Sequence, residues 1–216
     1  VDLCNRNFNV AYNSNVLTVK NIVDALNQLK FDSLFIYIST DQVYNSNKIK
    51  KTNHENEINI SNIYAETKFL GEIEALKYHK SLIIRTNFFG QSILKNRPSY
   101  SDWVIKNLKA KKKIKVPSNI FFNPIHMKFL CSIIELSIKK KIFGIYNIGS
   151  KDYISKYKLC FLIAKKFKLN YAKYLKKIKI VTNIHYKPLG TVMDIGKIEK
   201  KLSIKMPHIK ESIDLL

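Results

Sequence analysis

The chain has 216 residues, of which 46% are hydrophobic and 12% aromatic, enough to bury a substantial core and to exclude a disordered tail. Its net charge of +22 invites a nucleic-acid role, yet only three of the 38 basic residues are arginine, whose planar fork suits phosphates and bases. The lysines are spread over the whole length, and a surplus of this kind fits attraction of a small anionic substrate better than a dedicated nucleic-acid surface.

Other classes fall away for similar reasons. Cys4, Cys131 and Cys160 form no Cys-x-x-Cys pair, and the five histidines show no ligand spacing, so neither disulfide nor metal is expected and a reducing cytoplasm is the expected setting. Apolar runs such as "SLFIYIS" are too short to cross a bilayer, and no secretory signal is visible. The chain opens at Val1, without an initiator Met and already in a helical pattern, as a piece of a longer protein would.

Taken in chain order, residues 11–30 place Val16, Val19, Ile22, Val23, Leu26 and Leu29 at helical spacing. "SLFIYIS" follows as a continuous apolar run, the pattern of a parallel strand buried on both faces. The polar stretch from Thr40 to Asn62 reads as a long loop, a length that in compact domains is usually functional. A helix is predicted from about Ser61 to Tyr78, capped by Ser61 or Asn62, and "SLIIRT" is a second buried strand. Beyond it come a helix near 101–110, short strands at "IKV" and "IFF", and a helix over 126–139. The strand "GIYNIG", the helix "SKYKLCFLIAKKF", the strand "KIKIVT", the loop "NIHYKPLGTVMD" and one or two terminal helices complete the chain. Alternating helices and strands predict an α/β fold with a mostly parallel sheet, whose ligands sit beyond the carboxyl ends of the strands. That places the loops beginning "STDQVY" and "RTNFFG" at the chemistry.

Tyr64 and Lys68 lie four residues apart on the predicted helix, so both side chains leave one face a turn apart. A phenol of ordinary pKa about 10 is a poor proton donor at neutral pH, and a neighbouring ammonium favours its phenolate. Such a tyrosine can protonate a carbonyl oxygen while hydride reaches the carbon, and a hydroxyl at a strand end, here Ser39 or Thr40, can hold the same oxygen. Tyr-x-x-x-Lys alone is weak in so lysine-rich a chain. The order strand-"STDQVY", loop, "YAETKFLGE", strand-"RT" is specific.

These residues resemble the extended short-chain dehydrogenase/reductases that act on nucleotide sugars. The likeness continues through the "FFNPI" turn, "GIYNIGS" and the tail "KPLGTVMDIGKIEKKLSIKMP", which is most similar to the dTDP-4-dehydrorhamnose reductase branch. The resemblance implies the C-terminal part of an NAD(P)-binding, Rossmann-like, doubly wound domain, truncated at its amino-terminal side, in residues 1–150, with 88–125 contributing early to a small α/β substrate lobe and 151–216 forming most of it. It implies NADPH or NADH as cofactor and a nucleotide-sugar substrate, with no nucleic acid or membrane partner, and is compatible with a homodimer. Thr40, Tyr64 and Lys68 would be catalytic. Asn15, Ser39, Tyr64, Lys68, Thr86 and Asn87 would meet the cofactor, and Thr40, Asp41, Gln42, Phe88, Lys187 and Pro188 the substrate. No metal is implied.

Departures from the pattern count as well. The glycine-rich turn that wraps the cofactor pyrophosphate is not among these residues, and without it tight cofactor binding by this stretch alone is not expected. Dehydratases of the superfamily carry Asp-Glu after the threonine; Gln42 cannot ionise, which favours simple carbonyl reduction over loss of water. The reductase reading thus stands beside three others: another nucleotide-sugar epimerase or reductase, a non-catalytic nucleotide- or partner-binding relative similar to the methionine adenosyltransferase regulatory subunit, and a basic nucleic-acid module.

Overall fold

A computed structural model describes residues 2–45, 54–94, 96–180 and 189–216. The amino-terminal part is helical: α1 (Asp2–Arg6), α2 (Phe8–Tyr12), a π-turn at Asn13–Leu17 and α3 (Thr18–Gln28). Then follow β1 (Phe35–Ile38), a 3-10 turn at Asp41–Val43, α4 (Ile63–Ala75), β2 (Ser81–Thr86), β3 (Phe88–Phe89), α5 (Tyr100–Lys109), β4 (Ile114–Pro117), β5 (Phe121–Phe122) and β6 (Ile125–His126). The rest comprises α6 (Met127–Lys139), β7 (Gly144–Ile148), β8 (Ile154–Ser155), α7 (Lys156–Lys166), α8 (Tyr171–Tyr174), β9 (Leu175–Ile178), α9 (Gly196–Leu202) and α10 (Ile209–Asp214).

The central sheet runs β1-β2-β7 and is parallel throughout, with Ile38 opposite Ile84 and Thr86 opposite Ile148. β2 is the middle strand and all six of its residues are buried, as an apolar run without alternation requires. Val19, Val23, Ala75 and Tyr78 pack against Tyr37 and Ile83 on one face. On the other, Leu82, Ile84 and Ile148 meet α6 and the tail residues Ile198, Leu202 and Met206. A second core gathers α5, α7, α10 and the short strands around Val104, Phe122, Leu159, Ile163 and Ile209. There β4 pairs in parallel with β9, while β5 and β8 are antiparallel. The α/β architecture expected from the sequence is the one observed.

Some boundaries move. Asn62, not Ser61, caps α4, accepting from Ala65 N at 2.9 Å. The helix stops at Ala75, and Tyr78 instead turns under β1, donating its hydroxyl proton to the Phe31 carbonyl at 2.6 Å. The strand expected at "KIKIVT" forms earlier, over Leu175–Ile178, where its backbone meets β4. Four helices end on a lysine in the left-handed region (Lys30, Lys111, Lys141 and Lys168, φ between 48° and 56°), a place glycine takes more cheaply.

Candidate active site

Helix α4 presents the expected tyrosine and lysine on one stripe, and it packs against β1 and β2. Tyr64, Lys68 and Glu72 recur every four residues along that stripe. At the first turn two asparagines satisfy free backbone donors: Asn62 holds Ala65 N, and Asn5 of α1 accepts from Tyr64 N at 3.0 Å. Lower down, Gly71 admits the π-turn. A Cβ there would lie 2.3 Å from the Asn15 carbonyl oxygen and 2.4 Å from the Tyr37 hydroxyl.

The base of the stripe is a sealed ion pair. Glu72 and Arg85 are each 1% exposed, and the guanidinium grips the carboxylate with Nε at 2.9 Å and a second nitrogen at 2.5 Å. Arg85 also donates to the Tyr44 hydroxyl at 2.9 Å, which donates to Asn147 at 2.8 Å, and to the Glu55 carbonyl at 2.6 Å. Ser39 turns its hydroxyl inward and donates to Glu72. An arginine inside the apolar strand "SLIIRT" demands such a partner, so its signal was present in the sequence although no role was assigned to it or to Glu72.

Above this base the predicted hydroxyls come together. Thr40, just past β1, sets its hydroxyl beside the Tyr64 phenol, where it favours the phenolate. Lys68, one turn on, donates to the Ile38 carbonyl at 2.7 Å and lies 3.9 Å above the centre of the Tyr37 ring. Burial lowers its pKa to about 8, with Glu72 opposing that shift. The Tyr64 phenol is raised above its ordinary value: burial is the largest cause, the neighbouring Thr40 hydroxyl opposes it, and Asp41 and Cys4 add to it. A phenol lowered by Lys68 was expected; here the ammonium is committed to the strand end and is not among the groups acting on the tyrosine.

Asp41 is the hub. It is 2% exposed, and its Oδ2 accepts from Thr191 Oγ1 at 2.6 Å and Asn87 Nδ2 at 3.0 Å, while Oδ1 lies 3.3 Å from Thr40 Oγ1. Burial raises its carboxyl above the usual carboxylate value, against those hydrogen bonds and the charge of Lys156. Expected to meet substrate, it instead ties together three segments far apart in sequence. Thr191 had no local signal, since the contact exists only once the tail folds over β1.

The remaining expected residues divide. Thr86 is buried at the end of β2 and its hydroxyl has no hydrogen-bond partner. Phe88 is 47% exposed beside it, while Phe89 turns inward against His126. Asn15 spends its amide on Thr67 at 3.0 Å, and Gln42 accepts from Asn62 at 3.3 Å. Asn87 is half-buried and donates to Asp41. Lys187 and Pro188 lie outside the described residues. Among the described residues no group of three or more His, Cys, Asp or Glu side chains could hold a metal ion, and no helix is long and apolar enough to cross a membrane.

A parallel three-stranded sheet with hydroxyls converging past its carboxyl ends defines a doubly wound α/β protein of the Rossmann-like class. The chain belongs to the family described as the RmlD substrate binding domain, whose pattern matches residues 1–216. It is 24% identical over 216 residues to the spore coat polysaccharide biosynthesis protein SpsK of Bacillus subtilis (strain 168), a match covering 99% of this chain and 73% of that one. Among solved structures it is similar to a hypothetical dTDP-4-dehydrorhamnose reductase from Sulfolobus tokodaii, with 30% identity, a TM-score of 0.79, and 96% and 71% of the two chains covered. It also matches dTDP-4-dehydrorhamnose reductase from Bacillus anthracis in complex with NADP, with a TM-score of 0.87 at 18% identity, covering 99% of this chain and 75% of that one. At that identity the last likeness speaks for the fold.

Proposed function

We propose that this protein reduces the 4-keto group of a nucleotide-linked 6-deoxy sugar with NADPH or NADH, in the manner of a dTDP-4-dehydrorhamnose reductase, and that it serves synthesis of a surface polysaccharide precursor. The observation that carries the reading is the placement of the Thr40 hydroxyl beside the Tyr64 phenol at the carboxyl end of a parallel strand, one helical turn from the half-buried ammonium of Lys68. Family membership and the roles in the relatives' names support the substrate class.

The residues suit the nicotinamide-ribose end of the cofactor. Thr86 presents a buried hydroxyl without a partner, and Lys68 holds a cation at the strand end. Tyr64, Lys68 and Thr86 would hold that end, and Asn15, Ser39 and Asn87 support it from behind through the hydrogen bonds already described. Bound there, the reduced nicotinamide supplies hydride. Tyr64 then delivers its proton to the ketone oxygen, and Thr40 steadies the phenolate left behind. Phe88 offers an exposed aromatic face for the sugar, and the Lys187–Pro188 segment is assigned to the nucleotide. Gln42, which cannot ionise, braces the α4 cap and supplies no acid or base for dehydration.

The test is cofactor oxidation by the full natural chain with dTDP-4-dehydro-6-deoxy sugars, compared with Tyr64→Phe. The variant is expected to lose about 10²–10⁴ in kcat while keeping its fold. Equal rates in the two proteins end the reading.

A further inference from the structure

We propose that Thr191 is a positioning residue: through its hydrogen bond to Asp41 it latches the lobe built around the second core onto the end of β1, and so sets where a bound keto sugar lies against Thr40 and Tyr64. This builds on the reductase reading above, which gives that lobe the substrate.

Thr191 acts from a fixed backbone. Its N–H donates to the Phe121 carbonyl at 3.0 Å, and the Phe121 N–H donates to the Leu189 carbonyl at 2.9 Å, so the tail runs parallel to β5. Two residues on, the buried Asn123 side chain accepts from Met193 N and donates to the Met193 carbonyl, both at 3.0 Å. β5 in turn pairs with β8, with Phe121 opposite Ser155, and β8 leads straight into α7, whose Leu159 and Ile163 sit in the second core. The tail around Thr191 is therefore held to that lobe on both sides.

The side chain crosses out of the lobe. Thr191 Oγ1 donates to Asp41 Oδ2 at 2.6 Å, and Asn87, just past the end of β2, donates to the same oxygen at 3.0 Å. Thr40 Oγ1 donates to Oδ1 at 3.3 Å and itself receives the Gln42 N–H at 3.2 Å. One carboxyl group thus fixes the lobe, the end of β2 and the Thr40 hydroxyl relative to one another. Thr191 and Asp41 are 4% and 2% exposed, and the tail beside them gives Leu189, Val192 and Met193 to the interior. An apolar pair could fill the same place without the cost of desolvating a carboxyl and a hydroxyl. What the polar pair adds is registration, because a hydrogen bond fixes distance and angle together. Hydride and proton transfer depend on it: about 1 Å of misplacement can cost about 10²-fold in rate.

The test compares the full natural chain with Thr191→Val, which keeps the volume and loses the hydroxyl, and Thr191→Ser, which keeps the hydroxyl. Thr191→Val is expected to lose about 10- to 100-fold in kcat for the keto sugar nucleotide while its affinity for dTDP alone stays within about twofold, and Thr191→Ser to stay within about threefold of wild type in kcat. A residue that only adds stability would lower the Tm of Thr191→Val and leave kcat unchanged below the melt. Amide hydrogen exchange of the substrate-free protein gives a readout without turnover: in Thr191→Val, Gln42 and Tyr44 should exchange at least about tenfold faster, with the β4–β9 ladder unchanged. Should Thr191→Val not fold, Thr191→Ala carries the same comparison. Unchanged kcat in a folded variant without the hydroxyl overturns the proposal, as does a serine variant as impaired as the valine one, or unchanged exchange at Gln42 and Tyr44. A wild type inert toward the keto sugar would instead overturn the reductase reading, and the exchange rates would still decide the latch.

Discussion

Replacing Glu72 by alanine strips Arg85 of its carboxylate while leaving the guanidinium sealed between β2 and α4. Breaking a buried pair by removing one partner costs about 3–5 kcal/mol, because the surviving charge stays desolvated. Arg85 keeps two acceptors, the Tyr44 hydroxyl at 2.9 Å and the Glu55 carbonyl at 2.6 Å, which argues for the lower end of that range. Ser39 loses the acceptor of its inward hydroxyl, adding about 1 kcal/mol. The total, about 4 kcal/mol, corresponds to a Tm lower by roughly 8–16 °C for a chain of this size. Denaturant melts of Glu72→Ala, Arg85→Met and the double variant form the assay. With both ions gone no buried charge is left unpaired, so the double variant should be more stable than Glu72→Ala alone, with a coupling of at least about 2 kcal/mol. Additive losses, or single variants within about 1 kcal/mol of wild type, would refute the claim that this pair anchors the Tyr64–Lys68 stripe of α4.

Lys68 has a folded pKa of about 8 against an ordinary value of 10.5, so between those values the unfolded chain binds more protons and stability rises with pH. Denaturant melts at pH 7 and pH 10, each referenced to Lys68→Met, should show wild type gaining up to about 3 kcal/mol over that window, less whatever solvent screening removes. A gap that stays flat or closes in the opposite sense would contradict the buried position of the ammonium. Gly71→Ala should destabilise by about 1–3 kcal/mol, since its Cβ meets the backbone of the π-turn; a neutral result in thermal melts would mean that α4 and the π-turn sit farther apart. Lys111→Gly and Lys168→Gly should each stabilise by about 0.5–1 kcal/mol by relieving a left-handed lysine, read as a higher denaturation midpoint.

Much of the site was legible because its residues follow short-range rules. Tyr64 and Lys68 share a helix face by spacing alone, and Thr40 ends a strand whose unbroken apolar run marks it as internal. The side chains that lock the geometry were harder to read. Asp41, expected at the substrate, is internal because Asn87 and Thr191 close on it from two other segments, and nothing within a local window foretells that meeting. Ser39 and Asn15, expected to face cofactor, spend their polar groups on Glu72 and Thr67 for the same reason.

By itself, then, the sequence determined the order of helices and strands, the parallel sheet and the strand ends at which hydroxyls emerge, because backbone periodicity and apolar runs are local properties. Only the tertiary structure decided which hydroxyl meets which, that the phenol is raised and not lowered, and that a buried aspartate joins three distant segments. Burial and hydrogen-bond direction depend on neighbours that come together only when the chain has folded.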